Sequence, residues 1–127
     1  MKKILKNQKG QTLIVLLTYM IIAIIVTTAS IALIINSSRG TDKVYQGANS
    51  LDIAESGAET AMIKLLRNSS YIGETLTVGS GQAVITVSGT NPKTVLSKGS
   101  LNYFTRTIQV IITTTNNVLT ITSWKEI

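Results

Sequence analysis

The stretch Lys9-Gly10-Gln11-Thr12-Leu13-Ile14-Val15-Leu16-Leu17 decides the architecture of this chain. It joins a basic leader to a long apolar segment. Lysines occupy positions 2, 3, 6 and 9, and no charged residue follows until Arg39. Residues 13–35 are apolar apart from a few threonines, one serine and one tyrosine. We therefore expect this segment to determine both the location and the fold of the protein.

The apolar segment is long enough to cross a membrane. At a rise of about 1.5 Å per residue, residues 13–35 form a helix of roughly 35 Å, and the hydrocarbon core of a bilayer is about 30 Å thick. A helix satisfies its own backbone hydrogen bonds in lipid. The lysines before Gly10 predict a cytoplasmic N terminus by the positive-inside rule. We therefore predict a single-pass protein of the inner or cytoplasmic membrane.

Two other interpretations of the same segment stay open. A secretory signal peptide has an apolar stretch of about 7–15 residues and a small-residue cleavage site. Residues 28–32 resemble such a site, although Leu33, Ile34 and Ile35 continue the apolar run beyond it. A plain membrane anchor would also show this run. The residues around Gly10 distinguish these interpretations from a third.

Around Gly10 the chain resembles the type IV prepilins and pseudopilins. Their leader ends in Lys/Arg-Gly, and Gln-Thr-Leu-Ile-Val-Leu-Leu at 11–17 is similar to their usual mature start, Phe-Thr-Leu-Ile-Glu-Leu-Leu. The resemblance implies cleavage between Gly10 and Gln11 by a membrane prepilin peptidase, followed by N-methylation of Gln11. It also implies that the apolar helix becomes the packing core of an extracellular or periplasmic filament. The residues expected in that core include Val15, Leu16, Ile24 and Ile25.

The resemblance also implies the partners of the protein. They are the prepilin peptidase, the pilus assembly platform and other pilin subunits, which the protein contacts through its N-terminal helix.

Two residues depart from the family pattern, because Gln11 replaces the usual Phe and Val15 replaces the Glu at the fifth mature position. A carboxylate at membrane depth is costly unless it is paired. Its absence makes the chain most similar to K-type pseudopilins and PilX-type minor pilins, although Val15 also fits as an ordinary apolar residue of an apolar helix.

Composition limits the chemistry of the chain. Its 127 residues suit a membrane anchor and one small domain. The absence of cysteine and histidine excludes disulfides, zinc sites of the Cys/His type and histidine-based acid–base catalysis. Cleavage after Gly10 would remove four of the 12 positive charges and leave eight against six negative charges, a net +2. We expect a structural protein, not an enzyme, with no cofactor and no metal site.

The second part of the predicted helix is amphipathic. Small or apolar residues recur at positions 44, 47, 51, 54, 58, 61 and 65, and charged residues lie between them. This spacing predicts that one face packs against a sheet through Leu51, Ala54, Ala58, Ala61 and Leu65. Residues 54–61 also resemble a stretch of PilX-type minor pilins, for which helix packing is the favoured explanation and a dedicated subunit contact the alternative. Asn68-Ser69-Ser70 predicts the end of the helix.

The C-terminal part alternates with period two, which is typical of strands. Residues 74–78 and 82–87 form a predicted hairpin around Gly79-Ser80-Gly81, and residues 94–97 form a short strand that ends near Gly99. Residues 104–113 and 118–124 form a second hairpin around Asn116-Asn117. The side chains expected to face the core from this hairpin are Ile108, Val110, Leu119 and Ile121. The predicted structure is an antiparallel meander with one buried face.

These elements predict an α+β, pilin-like fold. One long N-terminal helix spans the membrane with its first half and carries a small antiparallel meander on its second half. The expected divisions are a leader (1–10), a transmembrane or filament-core segment (11–38), an amphipathic helix (39–70) and a sheet head (71–127). The predicted function is a minor pilin or pseudopilin subunit that acts in pilus assembly, in its initiation or at the tip. The alternative is a membrane-anchored extracytoplasmic binding module that does not polymerise.

A nucleic-acid partner has only weak support from the sequence. Lys93, Lys98, Arg106 and Lys125 could line a basic face on the head, and Tyr71, Tyr103, Phe104 and Trp124 could offer stacking surfaces. A solvated rim explains the same residues.

Overall fold

The computed structural model describes residues 8–127 and has an α+β architecture. The expected fold class is therefore confirmed. Most of the predicted leader, residues 1–7, lies outside the described residues. The described elements are α1 (Gln8–Arg67), β1 (Gly73–Val78), β2 (Gly81–Ser88), β3 (Lys93–Leu101), β4 (Phe104–Thr115) and β5 (Val118–Glu126).

The chain divides into two compact units, Met1–Thr41 and Asp42–Ile127. The first contains the N-terminal part of α1. The second contains the rest of α1 and all five strands. We call the second unit the head.

α1 ends where the sequence changes to short polar residues. The backbone N–H of Asn68 donates to the carbonyl oxygen of Lys64 at 2.8 Å, and the side-chain oxygen of Asn68 accepts a hydrogen bond from the Ser70 N–H at 3.0 Å. Asparagine favours such turns because its side chain can replace a backbone hydrogen-bond partner. These contacts end the helix at the predicted place.

The sheet is an antiparallel meander in which the strands follow chain order from β1 to β5. The turn between β4 and β5 contains Asn116 and Asn117, whose φ angles are 52° and 61°. Two-residue hairpin turns with positive φ at both positions fit the twist of the strands they join, and asparagine tolerates this conformation better than most residues. The meander expected from the period-two pattern is therefore present.

β3 is longer than predicted. The sequence suggested that the strand ends near Gly99, but the structure continues it through Gly99 to Leu101. A Cβ atom at Gly99 would lie 3.0 Å from the Cα of Ala54 and closer still to the Ala54 nitrogen and the Ser50 carbonyl oxygen. Gly99 is therefore a point where the helix backbone approaches the strand, which is a recognised role of glycine inside strands.

The head has one main core between α1 and the sheet. Ala54, Ala58, Ala61 and Leu65 from the helix are buried in it together with Ile108 and Val110 from β4. Leu51 and Leu119 are half-buried at its margin. A second, smaller cluster contains Ile53, Ala83 and Leu101.

Two residues expected in the core are exposed. Ile121 lies opposite the buried Ile112 on the helix side of the sheet, yet it is 46% exposed. The reason is that α1 lies closest to β2 and β3, whereas β5 is an edge strand that the helix does not cover. Val44, the first residue of the predicted stripe, is 74% exposed, and the buried face of α1 begins only at Gly47.

Candidate functional site

The apolar segment of the first unit is exposed along its whole length. Every residue from 10 to 45 is exposed, and the large apolar side chains of residues 13–35 are between 47% and 71% exposed. Near its N terminus α1 is long and apolar enough to cross a membrane. An uncovered apolar surface of this size marks a membrane or protein interaction site.

The threonine and serine hydroxyl groups of this segment are hydrogen-bonded inside the helix. Thr18 donates to the Ile14 carbonyl oxygen at 2.9 Å, Thr28 to that of Ile24 at 2.7 Å and Ser30 to that of Val26 at 2.8 Å. Thr27 makes the same kind of bond to Ala23 at 2.9 Å. A hydroxyl that bonds to a carbonyl one turn earlier needs no water. These polar side chains therefore do not prevent burial of the segment in lipid or among other helices.

The four residues expected to pack in a filament core do not share one face. Val15, Leu16, Ile24 and Ile25 are between 55% and 64% exposed. Successive helix residues are rotated by about 100°, so these four point in different directions around the axis. A helix that is apolar on all sides requires an apolar environment on all sides.

The expected cleavage position lies at the accessible start of the described helix. Gly10 and Gln11 are both exposed and helical, and a Cβ atom at Gly10 would meet nothing within 4 Å. A peptidase needs to open the helix locally to cleave this bond. Glycine lowers that cost because it destabilises a helix by about 1 kcal/mol relative to alanine.

A polar cluster joins the end of α1 to β1. The Lys64 ammonium forms an ion pair with Glu74, and its nitrogen lies 5.6 Å from the centre of the Tyr71 ring. The hydrogen bond from Lys64 lowers the pKa of Glu74 below its ordinary value. Burial, and next the negative charge of Glu74, raise the pKa of Tyr71 to about 12. The cluster therefore keeps the Glu74 carboxyl group charged and the Tyr71 hydroxyl group neutral near neutral pH.

The cations that could form a basic face do not share one surface. Arg106 points to the helix side of the sheet, where its Nη1 pairs with Glu126 at 2.7 Å. Lys93 donates to the carbonyl oxygen of Ser69. Only Lys98 and Lys125 lie on the outer face of the sheet, and the fully exposed Tyr103 lies in the turn between β3 and β4.

A groove of about 290 Å³ lies beside the end of α1. It is lined by residues that include Leu65, Arg67, Lys93, Ile112 and Leu119. Small-molecule sites usually occupy about 300–1,000 Å³, so this groove has the size of a very small ligand at most. Within residues 8–127, no group of three or more acidic side chains is arranged to hold a metal ion.

Sequence reasoning missed two sets of residues in the head. The first is Ser97 on β3, which lies against Gly57, one of the small residues of the helix stripe. The signal for it was the alternation of small residues on both elements. The second is a row of unpaired acids on the solvent side of α1, Asp52, Glu55 and Glu59. Its signal was the spacing of three and four residues without a neighbouring cation.

Comparisons with protein-family models, with curated proteins and with solved structures found no match to this chain.

Proposed function

We propose that this chain is a structural minor pilin or pseudopilin subunit of a type IV filament system. The observation that carries the proposal is the apolar helix of residues 13–35, which is uncovered on every side and directly follows Lys9-Gly10. A plain anchor explains the apolar helix but gives no role to the Lys-Gly junction. The α+β head on the second part of α1 supports the same function, because a filament subunit needs a folded domain outside its helical core.

In the proposed pathway the chain first enters the inner membrane with its N terminus in the cytoplasm. The lysines of the leader favour this orientation. A prepilin peptidase removes residues 1–10, and Gln11 becomes the methylated N terminus. The assembly platform then transfers the helix from lipid to a periplasmic or extracellular filament, where helices of other pilin subunits replace the lipid contacts.

Because Val15 is apolar, this transfer carries no cost of burying a charged side chain at that position. The segment from Gly10 to Ser38 has no charged side chain, so no buried carboxylate has to find an amine in the filament. Association of apolar helices outside water depends on van der Waals packing and on small residues that permit close approach. We infer that the apolar segment of this subunit packs in the filament through shape and van der Waals contact, without a buried ion pair.

The first test is the N terminus of the protein isolated from cells that carry the filament machinery. Intact-mass measurement and N-terminal sequencing are expected to give a chain that starts at Gln11, with one added methyl group. The variant Gly10→Val is expected to keep its leader. Gly40→Val is the matched control, because Gly10 and Gly40 are both helical and have nothing within 4 Å.

The second test detects helix contacts between subunits. A photo-cross-linking amino acid in place of Ile25 is expected to capture a sister subunit or another pilin. In the first test, an intact Met1 or cleavage near Ala32 would contradict the proposal. A correctly processed chain whose position 25 captures only lipid would indicate the membrane-anchored binding module instead.

A further inference from the structure

The solvent face of α1 in the head has an unpaired acidic row. Asp52, Glu55 and Glu59 are exposed, and their spacing of three and four residues places them on one face of the helix. Within residues 8–127 the ion pairs are Lys64–Glu74 and Arg106–Glu126, so these three acids have no cation. No lysine or arginine lies three or four positions from any of them. The acids therefore repel one another in the isolated subunit.

Two cations of the same helix have a matching spacing. Arg39 and Lys43 are exposed and four residues apart, as are Glu55 and Glu59. Neither cation belongs to the two ion pairs of the described residues. Lys43 and Glu59 are sixteen residues apart, which at about 100° per residue places them on nearly opposite sides of α1. The helix therefore presents complementary charges on different faces and at different heights.

We propose that these charges set the register between two copies of this chain. A parallel copy shifted by sixteen residues, about 24 Å along the helix, brings Lys43 beside Glu59 and Arg39 beside Glu55 of its neighbour. The contact uses different faces on the two copies, so it is a heterologous contact.

The same charges oppose association without a shift. In a bilayer the apolar segments of neighbouring copies lie at one depth, so acids stand level with acids and cations with cations. Like charges at the same height repel. The pattern therefore favours separate subunits in the membrane and paired subunits in the filament. This inference rests on the proposed function, because only assembly out of the bilayer permits the shift.

The outer face of the sheet offers the competing cations, Lys98 and Lys125. The helix is favoured because its two cations match the spacing of the two acids, and because one translation pairs both at once. Contacts from the sheet face are an outcome of the test.

The test uses the native full-length chain and a carbodiimide, which joins an amine directly to a carboxylate without a spacer. Within one chain Lys43 and Glu59 are about 24 Å apart along the helix, so a link between them comes from two copies. Filaments sheared from cells are expected to contain the Lys43–Glu59 peptide, and subunits from the membrane fraction are expected to lack it. The yield is expected to fall at high salt, because salt screens exposed charges.

Three variants test whether the link and incorporation into filaments depend on the charges of Lys43 and Glu59. Lys43→Arg keeps the charge and removes the reactive amine, so filaments are expected without the link. Glu59→Lys is expected to reduce incorporation into filaments several-fold. The double variant Lys43→Glu with Glu59→Lys exchanges the two charges and is expected to restore both incorporation and the link.

The possible failures are separable. If position 25 captures a sister subunit but no Lys43–Glu59 link forms, or if Glu55 and Glu59 join Lys98 or Lys125 instead, the register is wrong and the proposed function stands. If position 25 captures no subunit in filament-producing cells, the proposed function fails and the register fails with it.

Discussion

At the scale of the residue, Gly57 sets how closely α1 approaches the sheet. A Cβ atom there would lie 2.8 Å from the Cβ of Ala83 and 3.4 Å from Cγ1 of Ile85, and closer still to the Ser97 hydroxyl. Gly47 is also helical and buried, but its Cβ would meet only the end of the Arg106 side chain, at 3.8 Å. A side chain added at Gly57 is therefore expected to have the opposite effect on stability from one added at Gly47, although both glycines lie on one helix face.

Gly57→Ala is expected to destabilise the head by about 1–3 kcal/mol, because overpacking forces the helix away from the sheet. Gly47→Ala is expected to stabilise it by up to about 1 kcal/mol, because alanine favours a helix more than glycine does. Urea unfolding of the full chain in detergent measures both effects. Trp124 is the only tryptophan and reports on the head. Equal effects of the two substitutions would contradict the close packing at Gly57.

At the scale of the element, the cluster of Lys64, Tyr71 and Glu74 ties the end of α1 to β1. This tie matters because β1 is an edge strand and pairs only with β2. The Lys64 hydrogen bond holds the pKa of Glu74 below its ordinary value of 4.5. A carboxyl group with a lowered pKa in the folded state stabilises the fold above its unfolded pKa, and this stabilisation is lost as pH falls through the folded pKa.

We therefore expect the urea midpoint of the head to fall as pH decreases below 4.5, the ordinary pKa of Glu74. In Glu74→Gln this part of the decrease is expected to be absent, because glutamine does not titrate. At neutral pH the variant is expected to be slightly less stable than the native chain. Glu59→Gln is the control, since Glu59 lies in the unpaired row. Parallel pH profiles for the native chain and Glu74→Gln would refute the role of the ion pair.

At the scale of the whole molecule, the two units depend on different environments. The head has its own apolar core and is small, so its stability is expected to be marginal. Residues 8–41 of the first unit form no core, and their apolar side chains require lipid or other helices. Damage to one unit is therefore expected to leave the other in place.

Leu65→Asp is expected to unfold the head, because it replaces a buried leucine, 5% exposed, with a charge. The loss is about 4 kcal/mol or more, from the removed apolar contacts and from the unpaired charge together. Membrane flotation is expected to show that the variant still inserts, whereas Trp124 fluorescence shows an unfolded head. Leu66→Asp is the matched control, since Leu66 is 65% exposed. A cooperative head transition in Leu65→Asp would contradict the packing of the helix on the sheet.

The elements and their order are predictable from local patterns in the amino-acid sequence. Apolar length defined the membrane-competent segment, period-two alternation located the strands, and Asn116-Asn117 located the turn between the last two. These features are local, because each depends on the conformational preference or solvation of neighbouring residues. The cleavage and assembly assignments also come from the sequence, through its resemblance to prepilins, and they stay predictions.

Which strands the helix covers depends on long-range packing and could not be predicted from local patterns. Ile121 and the buried Ile112 have the same apolar character and lie opposite each other, yet the position of α1 over β2 and β3 leaves Ile121 exposed. The sequence predicted that a strand ends near Gly99, whereas in the structure Gly99 lies inside β3 and contacts the helix. Periodicity tells which face of a strand is apolar, but how far a helix reaches across the sheet depends on the volumes of facing side chains from distant parts of the chain.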